Sequence, residues 1–163
     1  MIIIGLDPGL NNTGWGIVDF QSGRLSFVAA GVIKPSSDLP MADRLKGLFA
    51  GILRVLEEYQ PHTAAVEETF VNTNPRSALI LGQARGIALM TPAFYGIPVA
   101  EYAANTVKKA VVGAGHADKT QVQAMIRLLL PTSGTQGADA ADALAVAICH
   151  SHFAKTANRW KAG

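Results

Sequence analysis

The stretch "IIIGLDPGLNNTGWG", residues 2–16, runs an unbroken set of aliphatic residues into a carboxylate. "MIIIGL" shows no polar alternation and is rich in β-branched side chains, the pattern of a strand buried on both faces. Asp7 closes the run, and Pro8, Gly9, Asn11 and Asn12 follow as turn residues. One reading makes Asp7 a turn opener whose carboxylate accepts local backbone hydrogen bonds. The other makes it a functional acid at the tip of a buried strand, where the sites of open α/β sheets lie.

The flanking sequence supplies the sheet. "GWGIVDF" reads as a second strand, "QSG" before Arg24 as a hairpin turn, and "RLSFVAAGVI" as a third strand, giving an antiparallel meander. "SSDLPMADRLKGLFAGILRVLEEYQ" carries Leu45, Leu48, Phe49, Ile52, Leu53 and Leu56 at helical spacing, with Asp38 placed to cap its start and Pro61 past its end. "TAAVEETF" is a fourth strand, parallel to the first if a helical crossover joins them. After a polar loop through "NTNP" come a long helix, "RSALILGQARGIALMTPAFY", and a short strand, "IPVAEY". Two more helices, "ANTVKKAVVG" and "DKTQVQAMIRLLL", precede the last, "ADAADALAVAICHSHF"; Asp118 and Gln121 form a capping box at the start of the second. The order predicts one α/β domain, a mixed five-stranded sheet flanked by helices, over residues 1–154, with residues 155–163 as a flexible basic tail.

Composition narrows the class. A chain of 163 residues, 49% apolar and 16% charged, suits one compact domain rather than a disordered segment. The single cysteine, Cys149, excludes an internal disulfide and a zinc site built from several thiolates. No signal-peptide pattern and no apolar run of membrane-spanning length is present, so the expectation is a cytoplasmic protein that does not enter membranes. Net charge is only +2, yet Arg76, Arg85, Lys108, Lys109, Lys119 and Arg127 face only Glu101 and Asp118 between residues 76 and 127. That imbalance permits a polyanionic partner.

The acids carry the chemistry. Glu67 repeats the pattern of Asp7, an acid ending an apolar strand, while Glu68 should point to the opposite face. In "ADAADALA" Asp139 and Asp142 lie three apart, on one helix face, flanked by alanines that allow close packing. Acids near a helix N-terminus are also favoured by the macrodipole, so this pair has a structural explanation too. Taken together, four carboxylates from three segments either raise one another's pKa or bind cations. Oxygen donors without His or Cys suit Mg²⁺ or Mn²⁺. Two such ions ~3.5–4 Å apart can activate water and stabilise a leaving oxygen in phosphodiester displacement.

"GLDPGLNNTGWG", "AAVEETF", "LILGQARG", "VKKAVVGAGHADKTQV" and "GADAADALAVAICH" together resemble the RuvC family of crossover (Holliday) junction endonucleases, whose fold is RNase H-like; the likeness spans residues 2 to about 150. The resemblance implies catalytic, metal-binding roles for Asp7, Glu67, Asp139 and Asp142, with Mg²⁺ as cofactor. It implies a bacterial homodimer that cuts two symmetric strands of a four-way junction, leaving 5′-phosphates and 3′-hydroxyls, alongside the RuvA–RuvB branch-migration complex. It also implies DNA contacts at Phe70, where bases would stack, and at Lys108 and Lys119, near phosphates. Arg76, at the start of a helix, is either a DNA-backbone contact or a solvated helix end. Gly82 and Gly86 allow close helix approach, within the chain or across a two-fold interface.

Three rivals share parts of this pattern. An ATP-binding lobe of the actin and sugar-kinase kind also starts with strand–Asp–x–Gly–turn–strand, but needs two such lobes. A junction-binding protein without cleavage would not need four acids. An RNase H acting on RNA–DNA hybrids is the third, separated by comparing cleavage of hybrids with cleavage of four-way junctions. "GAGHADKT", residues 113–120, misses the phosphate-binding loop because Asp118 stands where its second glycine belongs.

Overall fold

The computed structural model describes the backbone of residues 1–68, 74–134 and 136–161, with side-chain surroundings as far as residue 153. Five strands form one sheet in the order β3-β2-β1-β4-β5. β1 (Ile2–Asp7), β2 (Thr13–Gln21) and β3 (Arg24–Ile33) make the expected antiparallel meander. Ser22 and Gly23 turn the β2–β3 hairpin with φ of 50° and 82°, the left-handed geometry that two-residue hairpins require. β4 (Thr63–Glu68) lies parallel to β1, and β5 (Val99–Ala103) parallel to β4.

The missing alternation in β1 has its cause in two cores. Ile4 and Leu6 pack with Ala64 and Val66 against α1 (Met41–Tyr59) and α2 (Pro75–Tyr95) on one side. Ile3 and Ala65 face the other side, towards α3 (Ala104–Val112), α4 (Lys119–Leu129) and α5 (Ala138–Lys161). Every residue from Ile3 to Leu6 is therefore covered. A short 3₁₀ turn, Pro131–Ser133, joins α4 to α5.

α5 lies directly on β1 and β2. A Cβ on Gly5 would stand 2.1 Å from the carbonyl oxygen of Ala143, and one on Gly14 would stand 2.0 Å from that of Asp139. Ala140, Ala141 and Ala143 are buried in the same approach. Side chains were removed from both surfaces, so backbone rests close to backbone.

Two expectations need adjustment. Asp38 does not cap α1: the helix begins at Met41 behind Pro40, whose extended ψ of 153° ends the preceding segment, and no side chain caps it. The stretch expected as a tail carries the last turns of α5 as far as Lys161, and residues 162–163 lie outside the described residues. The capping box of Asp118 and Gln121 at α4 is present with both of its hydrogen bonds. Among the described residues no helix is long and apolar enough to cross a membrane.

Candidate active site

Alternation along two parallel strands decides where the acids point. On β1, Ile3, Gly5 and Asp7 share the face turned to α5; on β4, Thr63, Ala65 and Glu67 share the same face. The register pairs Leu6 with Val66, which sets Asp7 and Glu67 side by side at the carboxyl edge. The loop after Asp7 is braced by Thr13, fully buried, whose hydroxyl donates to the Gly9 carbonyl at 2.6 Å and accepts from the Gly9 N–H at 3.2 Å.

α5 brings the third acid. Asp142, half-buried in its first turns, lines one cavity of ≈ 290 Å³ with Asp7, Glu67, Lys108 and Lys119. Val107, Val122 and Ala145, from α3, α4 and α5, form apolar walls of the same cavity. These three carry no sequence signal for the site, because nothing in an apolar periodicity says which member sits beside a polar group. Asp139, one turn before Asp142, does not line the cavity, but its charge acts on Asp7 and Lys119.

The electrostatics are those of crowded, partly dry acids. Burial, then the charges of Glu67, Asp142 and Asp139, pushes the Asp7 carboxyl up to about 7, with Lys119 opposing. Burial and then Asp142 push Glu67 up to about 7, against the pull of Lys108 and Lys119. Both groups therefore hold part of a proton near neutral pH, and a cation becomes the alternative partner as the pH rises through about 7. Lys119 supplies the local counter-charge: its Nζ donates to Asp142 Oδ2 at 3.2 Å, and that pairing raises its own pKa. Among the described residues no three His, Cys, Asp or Glu side chains stand ready-made to enclose a metal ion. The donor set nonetheless fits a hard divalent cation: three carboxylates in one cavity, two of them raised by burial first and by neighbouring acids second, with no thiolate or imidazole among the described lining residues.

The remaining expected contacts spread around this centre. Lys108 on α3 and Lys119 at the start of α4 line the cavity. Arg76 is exposed in the first turn of α2, where Asn74 caps the backbone N–H groups of Arg76 and Ser77, and it does not line the cavity. Phe70 falls within residues 69–73, outside the described residues. Glu68 is exposed, as alternation requires. Deeper in, His150 of α5 joins two strands: its Nε2 is 3.0 Å from Thr63 Oγ1 on β4 and its Nδ1 is 2.8 Å from the Tyr102 hydroxyl on β5. Tyr102 pairs in register with Glu67, so this polar link lies next to the strand that carries the acid.

A mixed sheet of this order, with acids gathered where β1, β4 and α5 meet, defines an RNase H-like nuclease-type fold. The architecture has close solved counterparts. T. thermophilus RuvC, in a structure described as a complex with Holliday junction substrate, superposes with a TM-score of 0.89 at 33% identity, covering 96% of each chain. The yeast mitochondrial Holliday junction resolvase Ydc2 shares the fold at a TM-score of 0.71 and 12% identity, over 97% of this chain and 82% of that one.

Sequence makes the relationship specific. Residues 3–150 match the family described as crossover junction endodeoxyribonuclease RuvC. Proteins of that name from Xanthobacter autotrophicus and Rhodopseudomonas palustris are 56% and 54% identical to it over 160 residues, covering 98% of this chain and 95% and 92% of theirs. The chain belongs to the RuvC family. Membership sets aside the ATP-binding-lobe reading of the N-terminal strands.

Proposed function

We propose that this chain is a homodimeric, Mg²⁺-dependent endonuclease that resolves four-way DNA junctions by paired symmetric cuts, leaving 5′-phosphates and 3′-hydroxyls. One observation carries the reading: Asp7, Glu67 and Asp142, from three distant segments, line a single cavity in a chain of the RuvC family. Asp7, Glu67 and Asp142 would hold the cation, and Asp139 would add negative field from one turn away. A bound Mg²⁺, or Mn²⁺ in its place, supplies Lewis acidity at the phosphate and neutralises charge; the family likeness suggests two ions per site. Lys108 and Lys119 hold the DNA phosphates at the rim of the acid cavity, orienting the scissile bond over the carboxylates. Lys119 sits at a helix start, where backbone N–H groups also favour anions. Arg76 contacts the DNA backbone beside the site, and Phe70 stacks on an unpaired base, a contact of ~1–3 kcal/mol.

A face of α2 supports the homodimer. Leu79, Gly82, Gly86, Met90 and Phe94 are all exposed and recur every three or four residues, Leu79 and Phe94 at 72% and 71%. Such an apolar stripe on a surface helix is unusual for a monomer, and a two-fold interface matches a two-fold substrate. It works in the bacterial cytoplasm alongside the RuvA–RuvB branch-migration complex, as the family likeness suggests.

Incubation with a synthetic four-way junction, a linear duplex and an RNA–DNA hybrid tests the reading. The expected result is Mg²⁺-dependent cutting of the junction only, at matching positions in two opposed strands, with a rate that rises as the pH passes through about 7. Preferred cutting of the hybrid would replace this reading with RNase H activity, and single unpaired cuts would remove the dimer from it.

A further inference from the structure

Lys119 is an odd choice for its position. It is the first residue of α4, where the positive end of the helix macrodipole opposes a cation, so helix stability does not account for it. Its side chain is 74% exposed, yet its ammonium turns inward to Asp142, whose side chain is 24% exposed. Asp142 is thereby engaged by a lysine, while no trio of acids among the described residues stands ready to enclose a metal. Lys108 and Lys119 both line a cavity that also holds three carboxylates, and of the two it is Lys119 that, among the described residues, forms an ion pair there, at 3.2 Å.

We infer that Lys119 is the built-in counter-ion of the acid cavity, holding Asp142 until a divalent cation displaces it and frees the ammonium for a DNA phosphate. The inference rests on the metal-binding reading above and adds a coupling to it. An exposed ammonium–carboxylate pair is weak enough to be displaced by a divalent cation at ordinary concentrations. Because the same ammonium serves the carboxylate before metal entry and the phosphate after it, metal and DNA each favour the other's binding. Thermodynamic linkage requires that this coupling be reciprocal.

Calorimetric titration of Ca²⁺ into the metal-stripped full chain, without DNA, reads the first half. Lys119→Met is expected to bind Ca²⁺ about 2- to 5-fold more tightly than the wild type, the range for releasing an exposed ion pair. Lys109→Met, at an exposed lysine that does not line the cavity, makes the same change in net charge and is expected to leave the affinity unaltered. Junction affinity by fluorescence anisotropy reads the second half: added Ca²⁺ strengthens binding more in the wild type than in Lys119→Met. A Lys119→Gln variant guards against a folding defect peculiar to methionine. Equal or weaker Ca²⁺ binding by both Lys119 variants, or equal tightening by Lys109→Met, overturns the counter-ion role. A wild type that takes up no Ca²⁺ at all fails the metal reading itself, and the counter-ion role with it.

Discussion

Asp7→Asn is expected to lower the rate of junction cutting by at least about 10³-fold, ~4 kcal/mol of barrier, while the junction still binds in a gel shift. The amide keeps the size of the side chain and removes the charge that a cation needs. A second readout separates loss of chemistry from loss of fold. The folded-state pKa of Asp7 lies above its ordinary value, so the folded protein binds the extra proton between roughly 4 and 7. Stability from the protonated form is present below that window and is lost as the pH rises through about 7. The neutral amide escapes this loss. Without metal, Asp7→Asn should therefore melt higher than the wild type at pH 8, and by a smaller margin at pH 5. A variant that cuts at the wild-type rate removes Asp7 from the site; one that melts lower at pH 8 contradicts the crowding of acids around it.

Gly5→Ala is expected to be among the most damaging single changes in the chain. The new Cβ meets backbone, Ala143 O at 2.1 Å and Ala147 N at 2.6 Å, so no side chain can rotate out of its way. Overpacking of a tight core costs ~1–3 kcal/mol where side chains can adjust, and here α5 itself must move. A loss of about 3 kcal/mol or more should lower the melting temperature by roughly 6–12 °C for a chain of this size. Cutting should fall further than stability alone explains, because α5 carries Asp139 and Asp142. Gly47→Ala in α1 is the matched control: its Cβ finds only Pro35 Cβ at 3.7 Å, and it should gain ~0.5–1 kcal/mol from helix propensity. Equal melting of Gly5→Ala and the wild type would mean that α5 does not rest on the sheet as described.

These two positions also mark how far the amino-acid pattern reaches. The strand of residues 2–7 was legible because burial on both faces leaves no polar position, and Asp7 broke that rule visibly. The pairing with Glu67 followed from two parallel strands ending on acids, and the register delivers it within one residue. The alanines around Asp139 and Asp142 announced a close helix, but not its track. Gly5 and Gly14 lie on two strands joined by a loop, and their common role appears only when β1 and β2 pair Asp7 with Gly14. At the start of α1, Asp38 offers a local capping signal, but Pro40 sets the first residue of the helix at Met41. Asp139 and Asp142 look equivalent in sequence, and the helical turn between them decides that Asp142 alone lines the cavity. The link from His150 to Thr63 and Tyr102 had no signal at all, since its partners lie 87 and 48 residues away.

The central claim is that Asp7, Glu67 and Asp142 together receive a divalent cation. Crystals of the protein soaked in Mn²⁺ at pH 8, where both raised carboxyls are ionised, test it by anomalous scattering. The account predicts a peak in the cavity within coordination distance of these three carboxylates, ~2.0–2.2 Å, with the Lys119 ammonium withdrawn from Asp142. A cavity without a peak, or Mn²⁺ bound only elsewhere on the surface, would contradict it.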